Sequence, residues 1–270
     1  MEASTQTRHP GVGELIRTWR QRRNLSQLEL SLDSAISARH LSFVETGRAN
    51  PSREMVLHLA ERLEIPLRER NGLLLAAGFA PLFEERALDH ADMAPVRGAL
   101  EHFLHAHEPY PAVVVDGRWN LVTANDALAI LTDGVAPPLL EPPANGLRIT
   151  LHPEGMAPRI LNFAEWSSHM IRRLRRRAAI TADSELERLY EEVKEYPRVA
   201  LDSPTAESEA SEIVLPLRMR HEARELAFLS TISTFGSAHD ITLAELSIEA
   251  FYPANARTAN RLLADIGAGV

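Results

Sequence analysis

The segment Ala38–Glu45 places a guanidinium, an imidazole, a hydroxyl and an aromatic ring close together, at Arg39, His40, Ser42 and Phe43. A helix turning about 100° per residue puts Leu41, Val44 and Glu45 on one side and those four side chains on the opposite arc. That chemistry suits the reading of bases. Arginine takes a guanine edge through two hydrogen bonds in the major groove, and an apolar ring can lie against a thymine methyl. Arg48 and Arg53, just beyond the segment, are placed to clamp phosphates. Gln27 opens a preceding helix whose first N–H groups and dipole also suit a phosphate oxygen. Signals for other chemistry are weak. The chain has no cysteine, which removes thiolate nucleophiles, disulfides and thiolate metal sites. No G-x-S-x-G elbow, P-loop or H-E-x-x-H occurs, so no enzymatic activity is expected. His102, His105 and His107 have only a loose ligand spacing with Glu101 and Glu108 beside them, and no metal or other cofactor is expected.

Short helices must hold the reading arc in place. Gly11–Arg23 carries Val12, Leu15, Ile16 and Trp19 at helical spacing. Ser26 and Glu29 form a capping-box pattern before the Gln27 helix, and Ser37 caps Ala38–Glu45 after a turn at Ala35-Ile36. Ser52 caps Arg53–Leu63, Pro66 ends that helix, and Leu67–Ala77 closes the set before Gly78. Two short helices joined by a turn of about four residues have the spacing of a helix-turn-helix. Residues 81–95 read as an acidic, proline-flanked connector. Beyond it come a helix over Val96–His107 and a hairpin over Pro111–Ala124 turning at Asp116-Gly117. A short helix at Asp126–Leu131 and a loop over 133–148 follow. Helices are then expected over Ile160–Arg177 and Ser184–Glu195. Strands are expected at Ile213–Met219, Leu226–Phe235 and Leu246–Tyr252, before a last helix over Ala254–Ile266. That order suggests an α+β domain with helices on one face of the sheet.

The 270 residues carry a formal charge of −8, which argues against a surface coated for nucleic acid. The total conceals an asymmetry: residues 1–80 hold 11 arginines against 9 acids, and residues 81–270 hold 18 basic against 28 acidic residues. The basic residue is arginine in 28 of 29 cases, a uniformity that reads as codon bias. The run Ile171–Arg177 is dense in arginine and is expected to be a solvated face balanced by the acids of 183–195. No apolar run is long enough to cross a bilayer, and residues 1–13 lack the apolar stretch of a secretion signal. A soluble cytoplasmic protein is expected, with no membrane partner.

The strings Leu25-Ser26-Gln27, Ile36-Ser37-x-Arg39-His40-Leu41-Ser42-Phe43-Val44-Glu45-x-Gly47-Arg48 and Asn50-Pro51-Ser52-Arg53 resemble the Cro/C1-type, or Xre, repressors. The resemblance implies binding to double-stranded operator DNA. It carries the family's DNA-contacting positions onto Gln27, Ser37, Ala38, Arg39, His40, Phe43, Arg48 and Arg53. It further implies a partly buried ion pair between Arg20 and Glu45 that sets the angle of the reading helix. Ala35 departs from the family's usual glycine, at a cost of about 1 kcal/mol if its φ is positive. Ser31 and Ser34 stand where alanine is common, and Leu28 where a polar residue is usual.

A second resemblance covers residues 94–270. It rests on Pro109–Asp116, Trp119–Asn125, Leu151–Gly155, Asn162–Trp166 and Thr234–Asp240, which are similar to the ligand-binding domain of MmyB-like transcription regulators. This implies a PAS-like fold, five strands with helices enclosing a cavity, that senses a small apolar, fatty-acid-like ligand. Such a pocket needs a few polar groups to orient its guest, and the candidates are Arg148, His152, Arg159, Asn162 and Trp166. The expected protein is thus multidomain. An all-α five-helix helix-turn-helix bundle fills 1–80, a connector 81–95, and an α+β PAS-like domain 96–270. A homodimer is expected, because one short helix reads few bases and paired half-sites lie about 34 Å apart. The alternative for the second domain is a ligand-free module for protein interaction or dimerisation.

Overall fold

The computed structural model describes residues 10–201 and 214–267, the side chains of 265–267 excepted. The chain forms two compact units, the first mainly residues up to Glu85 and the second mainly residues from Arg86. Residues 1–9, part of the stretch considered for a secretion signal, fall outside that description, as does Ile213.

The first unit is built from α1 (Val12–Arg22), α2 (Gln27–Ser34), α3 (Ala38–Glu45), α4 (Arg53–Arg62) and α5 (Leu67–Ala76). Each lies within a residue of its expected span because serine and proline punctuate the chain so closely. The Glu29 N–H donates to Ser26 Oγ at 3.2 Å, and the Ser26 N–H donates to the Glu29 carboxylate at 2.6 Å, closing the capping box. Ser37 Oγ accepts from the His40 N–H at 3.2 Å and Ser52 Oγ from the Met55 N–H at 3.3 Å. These bonds satisfy donors that a helix start otherwise leaves orphaned. Ile16, Leu30, Leu41, Val56, Leu59 and Leu73 fill the core. The turn between α2 and α3 passes through Ala35 at φ 53° and ψ 27°, a left-handed conformation that disfavours any Cβ. Gly13 lets α1 run tightly against α3, since a Cβ there would lie 2.0 Å from the Val44 carbonyl oxygen.

The second unit centres on a five-stranded antiparallel sheet. Its strands are β1 (Ala112–Val115), β2 (Leu121–Ala124), β3 (Leu217–His221), β4 (Arg224–Thr234) and β5 (Ser247–Pro253), in the order β2-β1-β5-β4-β3. Around it lie α6 (Ala94–His107), α7 (Ala129–Thr132), α8 (Gly146–Leu151), α9 (Phe163–Thr181), α10 (Ser184–Val193), α11 (Ile241–Glu245) and α12 (Ala256–Gly267). This is the α+β arrangement of a PAS-like fold. Val113, Val115, Leu217, Phe228 and Phe251 point to one face, where Trp166, Met170 and Leu174 of α9 cover them. Ala112, Val114, Ile248 and Ala250 point to the other, against Leu100 and Leu104 of α6. No helix among the described residues is long and apolar enough to cross a membrane.

Four expectations need correction. Helices cover both faces of the sheet, not one, and the continuous burial of β1 and β5 is the reason. The β1–β2 hairpin does not turn on Asp116-Gly117 as a two-residue loop. The Asp116 carboxylate instead accepts from the Arg118 and Asn120 N–H groups at 2.8 and 2.9 Å, and Trp119 takes the positive φ of 63°. The loop expected over 133–148 gives way to α8 at Gly146, where Asn145 Oδ1 accepts from the Leu147 and Arg148 N–H groups at 3.1 and 3.3 Å. The helix expected from Ile160 begins at Phe163 and continues to Thr181.

Candidate nucleic-acid interface and candidate ligand cavity

Helix α3 lies with Leu41, Val44 and Glu45 buried in the first unit, and Ser37, Ala38, Arg39 and Arg48 exposed. His40, Ser42, Phe43, Gln27 and Arg53 are part-exposed. The two sides of the wheel separate as periodicity requires. The Arg39 guanidinium rests 5.4 Å from the Phe43 ring centre, a cation–π contact that restrains both groups on the outer surface. Gly47, at φ 71°, turns the chain after α3, and the Arg48 N–H donates to the Phe43 carbonyl at 2.8 Å. This fixes the backbone at Arg48 next to the outward arc. Arg53 is the first residue of α4.

A buried network sets the angle of α3. Arg20 Nε and Nη2 donate to the two Glu45 carboxylate oxygens at 2.7 and 2.9 Å, and Arg20 Nη1 donates to the Leu25 carbonyl at 2.7 Å. The Glu45 hydrogen bond holds the Arg20 pKa above its ordinary value. Gln27 Nε2 donates to Glu45 Oε2 at 2.7 Å, so Glu45 ties α1, α2 and α3 together. The Gln27 amide is therefore turned inward, a role that the outward reading of this position had not included. Leu28 and Leu32 are exposed on α2.

In the second unit, a cavity of about 70 Å³ lies between the sheet and the helices. Val113, Val115, Leu121, Ile149, Met170 and Phe251 supply much of its wall, and Trp166 and Glu249 also line it. Of the five polar candidates, Trp166 alone faces this space. Arg148 forms a two-pronged ion pair with Glu192 at 2.8 and 2.7 Å, which joins α8 to α10. The Tyr196 hydroxyl also bonds Glu192, and burial pushes the Tyr196 pKa up. His152 packs edge-on against Tyr196 with ring centres 5.0 Å apart. Arg159 donates to the Leu131 carbonyl at the end of α7, and burial lowers its pKa. Asn162 donates to the Pro216 carbonyl at 2.8 Å and accepts from the Arg218 N–H at 3.0 Å, fastening the start of α9 to β3. Arg159 and Asn162 satisfy carbonyls and N–H groups that loops leave without partners, whereas Arg148 and His152 are taken up by the side chains of Glu192 and Tyr196.

In the arginine run of α9, Arg172, Arg175 and Arg176 are exposed, as a solvated face requires, whereas Arg173 and Arg177 are part-buried. Arg173 lies 5.8 Å and Arg177 5.5 Å from the Trp119 ring centre. Arg173 pairs with Glu249 at 3.3 Å, and Arg177 donates to the Gly117 carbonyl at 2.9 Å. Burial lowers the Arg177 pKa. The partners of Arg173 and Arg177 thus include the β1–β2 loop and β5, with Asp183 and Glu245 also acting on Arg177. Glu249 lines the cavity although little in the sequence marks it. Its signal was a lone carboxylate on β5, in register with inward Phe251 two positions on.

Residues 16–70 match the family described as "Helix-turn-helix", and residues 96–264 match the family described as "MmyB-like transcription regulator ligand binding domain". None of the curated proteins matches the chain significantly. Among solved structures the chain is similar to one titled "Structure of an RNA-binding Light-Oxygen-Voltage Receptor", at 13% identity and a TM-score of 0.30, over 100% of this chain and 70% of that one. That likeness is too distant to carry an argument.

Proposed function

The chain belongs to the MmyB-like transcription regulators, with an Xre-type helix-turn-helix and a ligand-binding domain, and from that premise we propose that it is a sequence-specific regulator whose operator binding answers to a small apolar or fatty-acid-like guest. The observation that carries the reading is the outward arc of α3. Arg39 and Phe43 stand together on it while the Arg20–Glu45 pair holds the helix behind them. Arg39 reads a base edge, with His40 and Phe43 beside it. Arg48, Arg53, Ser37, Ala38 and the start of α2 at Gln27 meet the backbone and groove walls. The working form is a cytoplasmic homodimer on a two-fold operator, and the protein is no enzyme.

The guest occupies the cavity between the sheet and α9, whose apolar wall would bury hydrocarbon. Its effect on DNA requires different affinities for two arrangements of the protein. A ligand-free interaction module is the second reading. It is favoured by the cavity volume of about 70 Å³, below the ~300–1,000 Å³ of drug-sized sites. Native mass spectrometry of the purified full chain, paired with operator affinity before and after removal of bound lipid, separates the two. A co-purifying apolar molecule whose removal changes affinity supports the sensor. A clean mass with unchanged affinity after addition of fatty acids supports the module.

A further inference from the structure

The end of β4 is an open sheet edge among the described residues. β3 pairs only with Arg224–Phe228 of β4, whereas β4 runs on to Thr234 beside β5. The Ala254 N–H donates to the Ala227 carbonyl at 2.8 Å, so Ala227 turns its backbone toward β5. Antiparallel alternation then turns Ser230, Ile232 and Thr234 the other way, to the side that β3 does not reach. Among the described residues, no backbone hydrogen bond outside the strand ladders meets their N–H and C=O groups. Thr231, Ile232, Ser233 and Thr234 are exposed, Ile232 to 47%. The chain just ahead of β3 leaves the ladder at Pro216, which has no N–H and whose carbonyl accepts from Asn162 Nδ2 at 2.8 Å.

Bare edges template pairing with another chain, and proteins blunt them with charge, proline or a covering segment. β3, the outer strand of the same sheet, is blunted in this way. It carries exposed Arg218 and Arg220, and the Arg218 carbonyl accepts from the Leu161 N–H at 2.8 Å. From Leu226 to Thr234, by contrast, β4 holds no charge and no proline, in a chain whose formal charge is −8. Charge selects the occupant. About a two-fold axis at Ile232, a second copy sets Ile232 against Ile232 and Ser230 against Thr234. Every facing pair is then uncharged, hydroxyl meets hydroxyl, and the outward donors and acceptors of each strand match those of the other. We propose that the open edge of β4, Ser230–Thr234, pairs antiparallel with the same edge of a second copy and joins two five-stranded sheets into one. The pairing rests on the homodimer reading and adds to it the surface where the copies meet.

The test uses the full chain, which has no cysteine of its own. Ile232→Cys under mild oxidation gives a covalent dimer, because the facing Cα atoms of such a pair lie about 5.5 Å apart. Thr234→Cys, on the same edge, gives none, since it sits about 14 Å from its own copy. In sedimentation at up to about 100 μM the wild type dimerises. Ile232→Lys raises the dissociation constant about tenfold or more by setting like charges opposite each other. Mixing Ile232→Lys with Ile232→Glu returns the constant to within about threefold of the wild-type value. The cysteine variant keeps the strand uncharged, so the crosslink decides the matter even if a charged variant fails to fold. A wild-type dimer with no Ile232→Cys crosslink, or one that Ile232→Lys leaves intact, overturns the edge pairing and leaves the homodimer reading standing. A wild-type monomer overturns the pairing too, and edge amides protected from hydrogen exchange in that monomer would mean that another part of the same chain covers them. Whether two protomers still meet on a palindromic duplex then decides the homodimer reading separately.

Discussion

Arg39 is held by Phe43 but makes no ion pair among the described residues that would keep it from a base, so its removal should be felt in recognition and not in folding. Arg39→Ala is expected to cost about 1–3 kcal/mol on the selected operator and to relax preference at one base pair, with little loss on random DNA. Arg48→Ala should weaken all sequences alike and lower the salt slope by about one. Fluorescence anisotropy on specific and random duplexes at several salt concentrations distinguishes the two. Glu45→Ala acts differently, leaving Arg20 buried without its carboxylate. Urea denaturation should show a loss of about 3–5 kcal/mol, the usual penalty for an uncompensated buried charge. A loss below about 1 kcal/mol would mean that the pair does not hold α3. At this scale the sequence was informative where periodicity and family spacing agreed, as at Arg20, Arg39 and Glu45. It was uninformative at Arg148, His152, Arg159 and Asn162, since a polar residue beside a loop looks the same whether it serves a guest, a backbone carbonyl or another side chain.

Helix positions in the first unit depend on two backbone features. A methyl at Gly13 would strike the Val44 carbonyl, and backbone yields less readily than a side-chain tip. Gly13→Ala should therefore destabilise the chain by about 1–3 kcal/mol and weaken operator binding as α3 shifts. Ala35→Gly should do the opposite, adding up to about 1 kcal/mol by relieving the left-handed turn, with DNA affinity unchanged. Thermal unfolding of both variants, alongside anisotropy, checks the pair. The five helices were legible because Ser26, Ser37, Ser52, Pro66 and Gly78 mark their ends with specific chemistry. The second unit was harder to read. Asp116-Gly117 looked like a tight turn, but the Asp116 carboxylate organises a longer loop. Asn145-Gly146 looked like loop because capping chemistry and turn chemistry use the same residues. The second covered face of the sheet was hidden for a related reason. Short runs of valine and alanine, such as Ala112–Val115, do not reveal by periodicity whether one face or both are buried.

At the level of the whole protein, a reader of DNA and a holder of small molecules are joined in one chain, and each has its own core. The cavity residues come from distant stretches, Val113, Ile149, Trp166 and Glu249 among them. No local pattern in the sequence could assemble such a set. Sedimentation of the full chain with a palindromic duplex should give two protomers per site, and a single protomer would remove the dimer. The most direct test of the central claim is selection of bound sequences from random DNA by the wild-type chain and by Arg39→Ala in parallel. The wild type is expected to select a two-fold symmetric site with half-sites about 34 Å apart, and the variant the same site with one position per half relaxed. Recovery of no preferred sequence by the wild type, or of identical sequences by both proteins, would contradict that claim.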